Sequence, residues 1–221
     1  MSTPPPNVRI SQHPCVRAKL SQLRSKSASA KLTKQLVHEI ALILATEALA
    51  DLQVTTTGTD ESPLGSAFDV DSILPQSITI VPILRSGLSM LDAVQTILPI
   101  DVSVHHLGLF REKASLQPVE YYNNLPQSEA AIAKLAIVID PVIATGGTSV
   151  AAIQTLREWG VEHIIFLAVL AARPGLTVAA EEWPEGTRIH VAGVDADLND
   201  AGYIKPGLGD IGDRLFLTAA N

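Results

Sequence analysis

The chain has a single cysteine, Cys15, among 221 residues. That excludes an internal disulfide framework and a cysteine-built metal cluster. Aromatic residues are scarce at 4% and the net charge is −7, so the broad basic surface that holds nucleic acid or an anionic membrane is missing. No apolar run approaches the ~18 residues that cross a bilayer. The opening M-S-T-P-P-P-N lacks the basic region and apolar stretch of a secretory signal. Two familiar phosphate-loop strings are also absent: there is no G-x-x-x-x-G-K-[ST], and no G-x-G-x-x-G follows an apolar strand. These absences lead to the expectation of a soluble, cytoplasmic protein with neither nucleic-acid nor membrane partners.

What is present is apolar residues, 47% against 18% charged, enough for one substantial α/β core. Residues 1–8, with Pro4, Pro5 and Pro6, are read as a mobile tail and residues 9–221 as a single domain. The stretch around which the rest is arranged runs from Leu135 to Thr148. The run Leu135 to Ile139 is continuously apolar, as expected of a strand covered on both faces of a parallel sheet. Thr145, Gly146, Gly147 and Thr148 then lead into a helical pattern, Val150, Ile153 and Leu156, that stops at Gly160. Strand, loop and helix in this order place glycine N–H groups and threonine hydroxyls at a helix N-terminus, which favours a phosphate. Asp140 falls at the carboxyl end of the strand, where open α/β sheets bind ligands, and could accept hydrogen bonds from ribose hydroxyls.

A second strand–loop–helix unit runs through Ile78 to Leu84, Arg85–Ser86–Gly87, and Leu88, Met90, Leu91, Val94 and Ile97. Pro82 argues for the end or edge of a strand. Arg85 at the turn suits an anion, because guanidinium matches phosphate oxygens bidentately. Helices are expected over Pro14 to Ser25 and Ser29 to Leu52, with Arg9, Arg17, Lys19 and Arg24 on solvated faces. Thr55 to Ser72 reads as a loop, Val102 to Leu109 as a third strand, and Arg111 to Pro126 as a projecting flap bearing Tyr121 and Tyr122. His105 and His106, adjacent on a strand, face opposite ways and make no natural metal pair. Further strands are expected over Ile164 to Ala171 and Arg188 to Val194, with a short helix over Ala179 to Pro184. This alternation predicts a mostly parallel sheet flanked by helices. The last segment, Asp197 to Phe216, carries Gly202, Gly207, Gly209 and Gly212 and reads as a long loop whose main chain could face a small planar ligand.

Several strings together resemble uracil phosphoribosyltransferases: V-P-I-L-R-S-G-L-S-M at Val81 to Met90, Y-Y-N-N-L-P at Tyr121 to Pro126, D-P-V-I-A-T-G-G-T at Asp140 to Thr148, and L-N-D-A-G-Y-I-K-P-G-L-G-D-I-G-D-R-L-F at Leu198 to Phe216. The last string argues against a purine specificity. The resemblance implies a type I phosphoribosyltransferase fold with N-terminal helices, a projecting β-arm and a C-terminal base-binding loop. It implies that uracil and 5-phosphoribosyl 1-diphosphate give UMP and pyrophosphate with Mg2+, which is held mainly through the diphosphate. By position it implies that Arg85, Arg111, Asp140, Pro141, Val142, Ile143, Ala144, Thr145, Gly146, Gly147, Thr148 and Asp210 bind phosphoribosyl diphosphate. Ile204, Gly209, Asp210 and Ile211 would hold uracil, largely through backbone groups, and Asp140, Arg111 and Asp210 would carry the chemistry. A homodimer or higher homo-oligomer is expected, with GTP as an effector left open. The sequence departs from the family at Glu112–Lys113–Ala114, at Ile211 where alanine is usual, and at Ser86 and Ser89, which replace smaller residues. A non-catalytic nucleotide sensor on the same fold is the alternative.

Overall fold

The computed structural model describes residues 4–111 and 118–218. In chain order they form β1 (Val8–Ile10), α1 (Pro14–Leu23), α2 (Ala30–Leu49), β2 (Gln53–Glu61), β3 (Ala67–Leu74), β4 (Ile78–Leu84), α3 (Leu88–Ile97), β5 (Ser103–Val104), β6 (Leu107–Arg111) and β7 (Pro118–Asn123). There follow β8 (Leu135–Ile139), β9 (Val142–Ile143), α4 (Gly147–Trp159), β10 (His163–Ala168), β11 (Leu170–Ala172), α5 (Arg173–Glu182), β12 (Thr187–Val191), β13 (Val194–Asp195), β14 (Asp197–Leu198), β15 (Ile204–Lys205) and α6 (Ile211–Phe216).

The main sheet has the order β1-β12-β10-β8-β4-β6-β7, with β5 also on β4. Every pairing in it is parallel except the β6–β7 hairpin. Alternate residues of the strands feed two apolar layers. Leu135, Ile137 and Ile139 of β8 join Leu36, Ile40 and Leu44 of α2 and Met90 and Val94 of α3 on one face. Ala136 and Val138 join Ile153 and Leu156 of α4 and Leu176 of α5 on the other. The α/β fold with helices on both faces is the one expected, and β8 is buried throughout. Ser29 caps α2, its hydroxyl accepting the Leu32 N–H at 3.2 Å, and Gly160 ends α4 in the left-handed region at φ 106°.

Four readings change. Val8 is buried in β1, and Asn7 Nδ2 donates to the carbonyls of Ala180 and Thr187 at 3.0 and 3.1 Å, so the anchored chain begins inside the stretch read as a tail. Residues 55–72 are not a loop: β2 and β3 pair antiparallel into an almost wholly exposed hairpin. Pro82 lies inside a central strand, opposite Ile139 of β8. It shares parity with Ile80, whose carbonyl accepts from His105 on the far side, so its missing N–H faces the break between β5 and β6 and removes no ladder bond there. The helix expected from Ala179 begins earlier, at Arg173, with Pro174 in its first turn. The expected flap is a hairpin of β6 and β7 with Tyr121 and Tyr122 exposed.

Candidate active site

β4 and β8 are parallel neighbours, so the residues that follow them emerge side by side at the carboxyl edge of the sheet. Asp140 follows β8 and Arg85 follows β4; the Leu84–Arg85 peptide bond is cis. Ser86 joins the two loops, its Oγ donating to Asp140 Oδ1 at 3.1 Å, while Ser89 Oγ donates to the Ser86 carbonyl at 2.7 Å. The two serines that depart from the family are thus used within the turn. Asp140 is buried. Burial pushes its carboxyl up to about 7, against the hydrogen bonds from Ser86 and the Val142 N–H, which pull the other way. A carboxylate kept from water in this way has unspent acceptor capacity for a polyhydroxyl ligand.

The loop from Asp140 to Thr148 passes through β9 and enters α4 at Gly146, which has φ 88°. A small concavity of about 80 Å³ lies inside it, lined by Val142, Ile143, Ala144, Thr145, Gly146 and Thr148 together with Ser149. The first N–H groups of a helix have no partner within it and carry the positive end of its dipole, so this concavity presents donors to an anion. A second glycine sets the loop's shape. A Cβ on Gly175, at the start of α5, would stand 2.0 Å from the Ala144 carbonyl oxygen, and one on Gly146 would stand 2.5 Å from the Gly175 oxygen. Both positions must be glycine for the two backbones to touch, and the sequence pattern alone offered no sign of Gly175's part.

The C-terminal segment is more ordered than a loop. β14 and β15 form a small hairpin, and Asp210 caps α6, its Oδ1 accepting the Asp213 N–H at 3.0 Å. Ile204 is buried and Gly209 has φ 76°. Ile211 is 7% exposed and belongs to the apolar layer under α2, so its branched side chain packs inward and leaves only its backbone for a ligand. Ile211→Ala is therefore expected to cost about 2–3 kcal/mol in urea unfolding through the cavity left behind, without improving base affinity. An unchanged unfolding midpoint would contradict this placement.

Arg24 is no solvated residue. Its Nη1 and Nη2 donate to Asp195 Oδ2 and Oδ1, both at 2.7 Å, and Nη1 also reaches the Gly207 carbonyl at 2.7 Å. Asp195 Oδ2 accepts the Gly207 N–H at 2.9 Å. Arg214 donates to the carbonyls of Leu23, Leu208 and Ser25 at 2.7, 2.8 and 3.0 Å. The segment from Gly207 to Arg214 is thereby tied to the α1–α2 junction by two arginines. Amphipathic spacing could not reveal this, because a helix-surface arginine looks the same in sequence whether or not it has a distant partner. A cavity of about 720 Å³ opens beside Gly209 and Asp210 toward that junction, and neither Asp140 nor Arg85 lines it.

The backbone of Arg111 pairs with Pro118, and the departure at Glu112–Lys113–Ala114 lies outside the described residues. Among the described residues, no group of three histidine, cysteine, aspartate or glutamate side chains could hold a metal ion, and no helix is long and apolar enough to cross a membrane. His105 packs edge-on against Trp159, ring centres 5.7 Å apart.

Comparison with known proteins identifies the family and the fold. Residues 10–218 match the family described as Uracil phosphoribosyltransferase. The chain is 44% identical to a uracil phosphoribosyltransferase of Roseiflexus castenholzii, with 96% of this chain and 98% of that protein covered. It is 41% identical to one of Halalkalibacterium halodurans, with 96% and 98% covered. Among solved structures, the AQ2163 protein of Aquifex aeolicus superposes with a TM-score of 0.86 at 32% identity, over 97% of this chain and all 100% of that one.

Proposed function

The chain belongs to the uracil phosphoribosyltransferase family, and on that premise we propose that it transfers the phosphoribosyl group of 5-phosphoribosyl 1-diphosphate to uracil, releasing pyrophosphate. The observation that carries this reading is the placement of Asp140 and Arg85 at the ends of neighbouring parallel strands, with the concave loop of Ala144 to Thr148 one turn beyond. A sugar phosphate needs that combination: an acceptor for its hydroxyls, donors for its phosphate and a cation for its second anionic group.

In this reading Asp140 accepts the ribose 2- and 3-hydroxyls, and the backbone from Pro141 to Ile143 carries the chain into the loop Ala144–Thr148, which binds the 5-phosphate. Arg85 and Arg111 face the diphosphate. Breaking the bond from ribose C1 to the diphosphate oxygen builds positive charge on the sugar and negative charge on the leaving group, so donors already fixed in place are worth more in the transition state than in the ground state. Diphosphate oxygens are a donor set that the hard cation Mg2+ prefers, and Mg2+ held there would supply positive charge against the leaving pyrophosphate. The backbone of Ile204, Gly209 and Ile211 aligns uracil so that its N1 forms the new bond to C1, and Asp210 takes the N1 proton. The β6–β7 hairpin lies next to β4 and excludes water. In the same reading the enzyme is cytoplasmic and a homodimer or higher homo-oligomer, and the comparison of rates with and without GTP decides whether that nucleotide is an effector.

The test is formation of UMP and pyrophosphate by the purified protein from uracil, phosphoribosyl diphosphate and Mg2+, with cytosine and hypoxanthine as alternative bases and GTP present or absent. Turnover with uracil alone is the expected result. Binding of phosphoribosyl diphosphate without turnover would favour a non-catalytic sensor instead.

A further inference from the structure

Arg85 is held by the far end of the chain. Its Cζ lies 5.5 Å from the centre of the Phe216 ring, and its Nη2 donates to Thr218 Oγ1 at 3.4 Å. Thr218 Oγ1 donates in turn to Asp213 Oδ1 at 2.7 Å, and Asp213 N–H is bound by Asp210 at the start of α6. One run of contacts therefore joins the base loop to the arginine of the β4–α3 turn. Between Phe216 and Thr218 the backbone reverses at Leu217, whose φ is 56°. A leucine in the left-handed region is unfavourable on its own, and such an outlier persists where the surrounding structure over-determines it. Here it is the turn that returns the Thr218 hydroxyl to Asp213 and Arg85. The core does not explain Phe216, which is 41% exposed, whereas α6 is anchored by buried Ile211 and by Leu215.

We infer that Phe216 and Thr218 are positioning residues for Arg85: a cation–π contact and a hydrogen bond hold its guanidinium at the end of β4 before the diphosphate arrives. A free arginine must give up rotamer freedom to bind an anion, and a guanidinium held against a ring has given up part of it already. The inference rests on the reading of Arg85 as a ligand of phosphoribosyl diphosphate. The consequence is that a residue at the end of the C-terminal segment, beyond the positions placed against uracil, controls the affinity for phosphoribosyl diphosphate and not that for the base.

Initial rates against phosphoribosyl diphosphate and against uracil, for wild type, Phe216→Leu, Phe216→Tyr, Thr218→Ala, Arg85→Ala and the double variant Arg85→Ala/Phe216→Leu, test it. Phe216→Leu should raise KM for phosphoribosyl diphosphate roughly threefold to fivefold, the scale of an exposed cation–π contact, with kcat and the uracil KM changed less than about twofold. Thr218→Ala should raise it about twofold, and Phe216→Tyr should keep the wild-type value, since either aromatic ring serves. In the Arg85→Ala background the Phe216 substitution should have no further effect. Equal effects in both backgrounds, or no effect of Phe216→Leu where Arg85→Ala is impaired, would overturn the inference alone. An Arg85→Ala enzyme with an unchanged KM would remove both the inference and the role of Arg85 beneath it.

Discussion

Replacing Asp140 by asparagine is expected to lower turnover about a hundredfold while making the protein more stable above pH 7. The loss follows from charge. Hydrogen bonds from ribose hydroxyls to a buried carboxylate are each worth about 1.5–3 kcal/mol, roughly twice those to a neutral amide, and about 2.7 kcal/mol of transition-state binding is a factor of a hundred. The gain follows from linkage. The Asp140 carboxyl is raised from 3.8 in the unfolded chain to about 7 in the folded one, so between those values the folded state binds more protons. Stability attributable to this residue therefore falls as pH rises from about 4 to about 7, by a few kcal/mol at most. Asparagine does not titrate and removes that slope. His190 acts in the opposite direction over part of the same window: burial lowers its pKa from 6.5 to about 4, so its contribution is lost as pH falls below 6.5. Thermal melts of wild type and Asp140→Asn at pH 5 and pH 8, alongside steady-state turnover, would separate the effects. A variant with near-normal turnover, or one no more stable than wild type at pH 8, contradicts the assignment.

Asp195→Ala is expected to cost about 2–4 kcal/mol of stability and to raise the KM for uracil more than that for phosphoribosyl diphosphate. The Asp195 side chain is 9% exposed and that of Arg24 26%. Removing the acid strands a partly buried guanidinium and frees the Gly207 N–H, and breaking one partner of a buried pair costs more than the pair contributes. In a chain of this size about 1 kcal/mol corresponds to a melting shift of roughly 2–4 °C. Arg24→Lys retains the charge without the two-pronged geometry and should fall between. Urea unfolding together with the two KM values would decide. An unchanged midpoint would show the clamp to be energetically idle, and equal changes in both KM values would show that it does not act on the base loop.

The parts of this molecule legible in its sequence are those where burial or a helix end imposes a pattern. β8 shows as an uninterrupted apolar run because both faces are covered. α4 shows by its spacing and its glycine stop, and Asp140 and Arg85 by standing where such strands end. The β2–β3 hairpin escaped because strand periodicity comes from burying one face, and this hairpin half-buries only Thr55, Val70, Ser72 and Ile73. Pro82 misled because only the tertiary pairing shows that a break in the neighbouring strand receives its missing donor. The arginine ties from Arg24 and Arg214 were invisible, since their carbonyl and carboxylate partners lie far away in sequence and leave no periodic trace. α6 was hidden by its brevity and by Gly212 within it.

The two apolar layers divided by the sheet support the two proposed ligand loops unequally. Ile204, Leu208 and Ile211 of the C-terminal segment rest only on the layer beneath α2 and α3, whereas the loop after β8 is shared, Val142 and Ala144 packing on that same layer and Ile143 on the one beneath α4 and α5, with Ala152 and Leu176. Core substitutions more than about 7–10 Å apart with no shared partners usually act additively. Changes beneath Ile204 and Ile211 could thus add to those beneath Ile143 and Leu176, and would be felt across the molecule only where Val142 and Ala144 share the first layer.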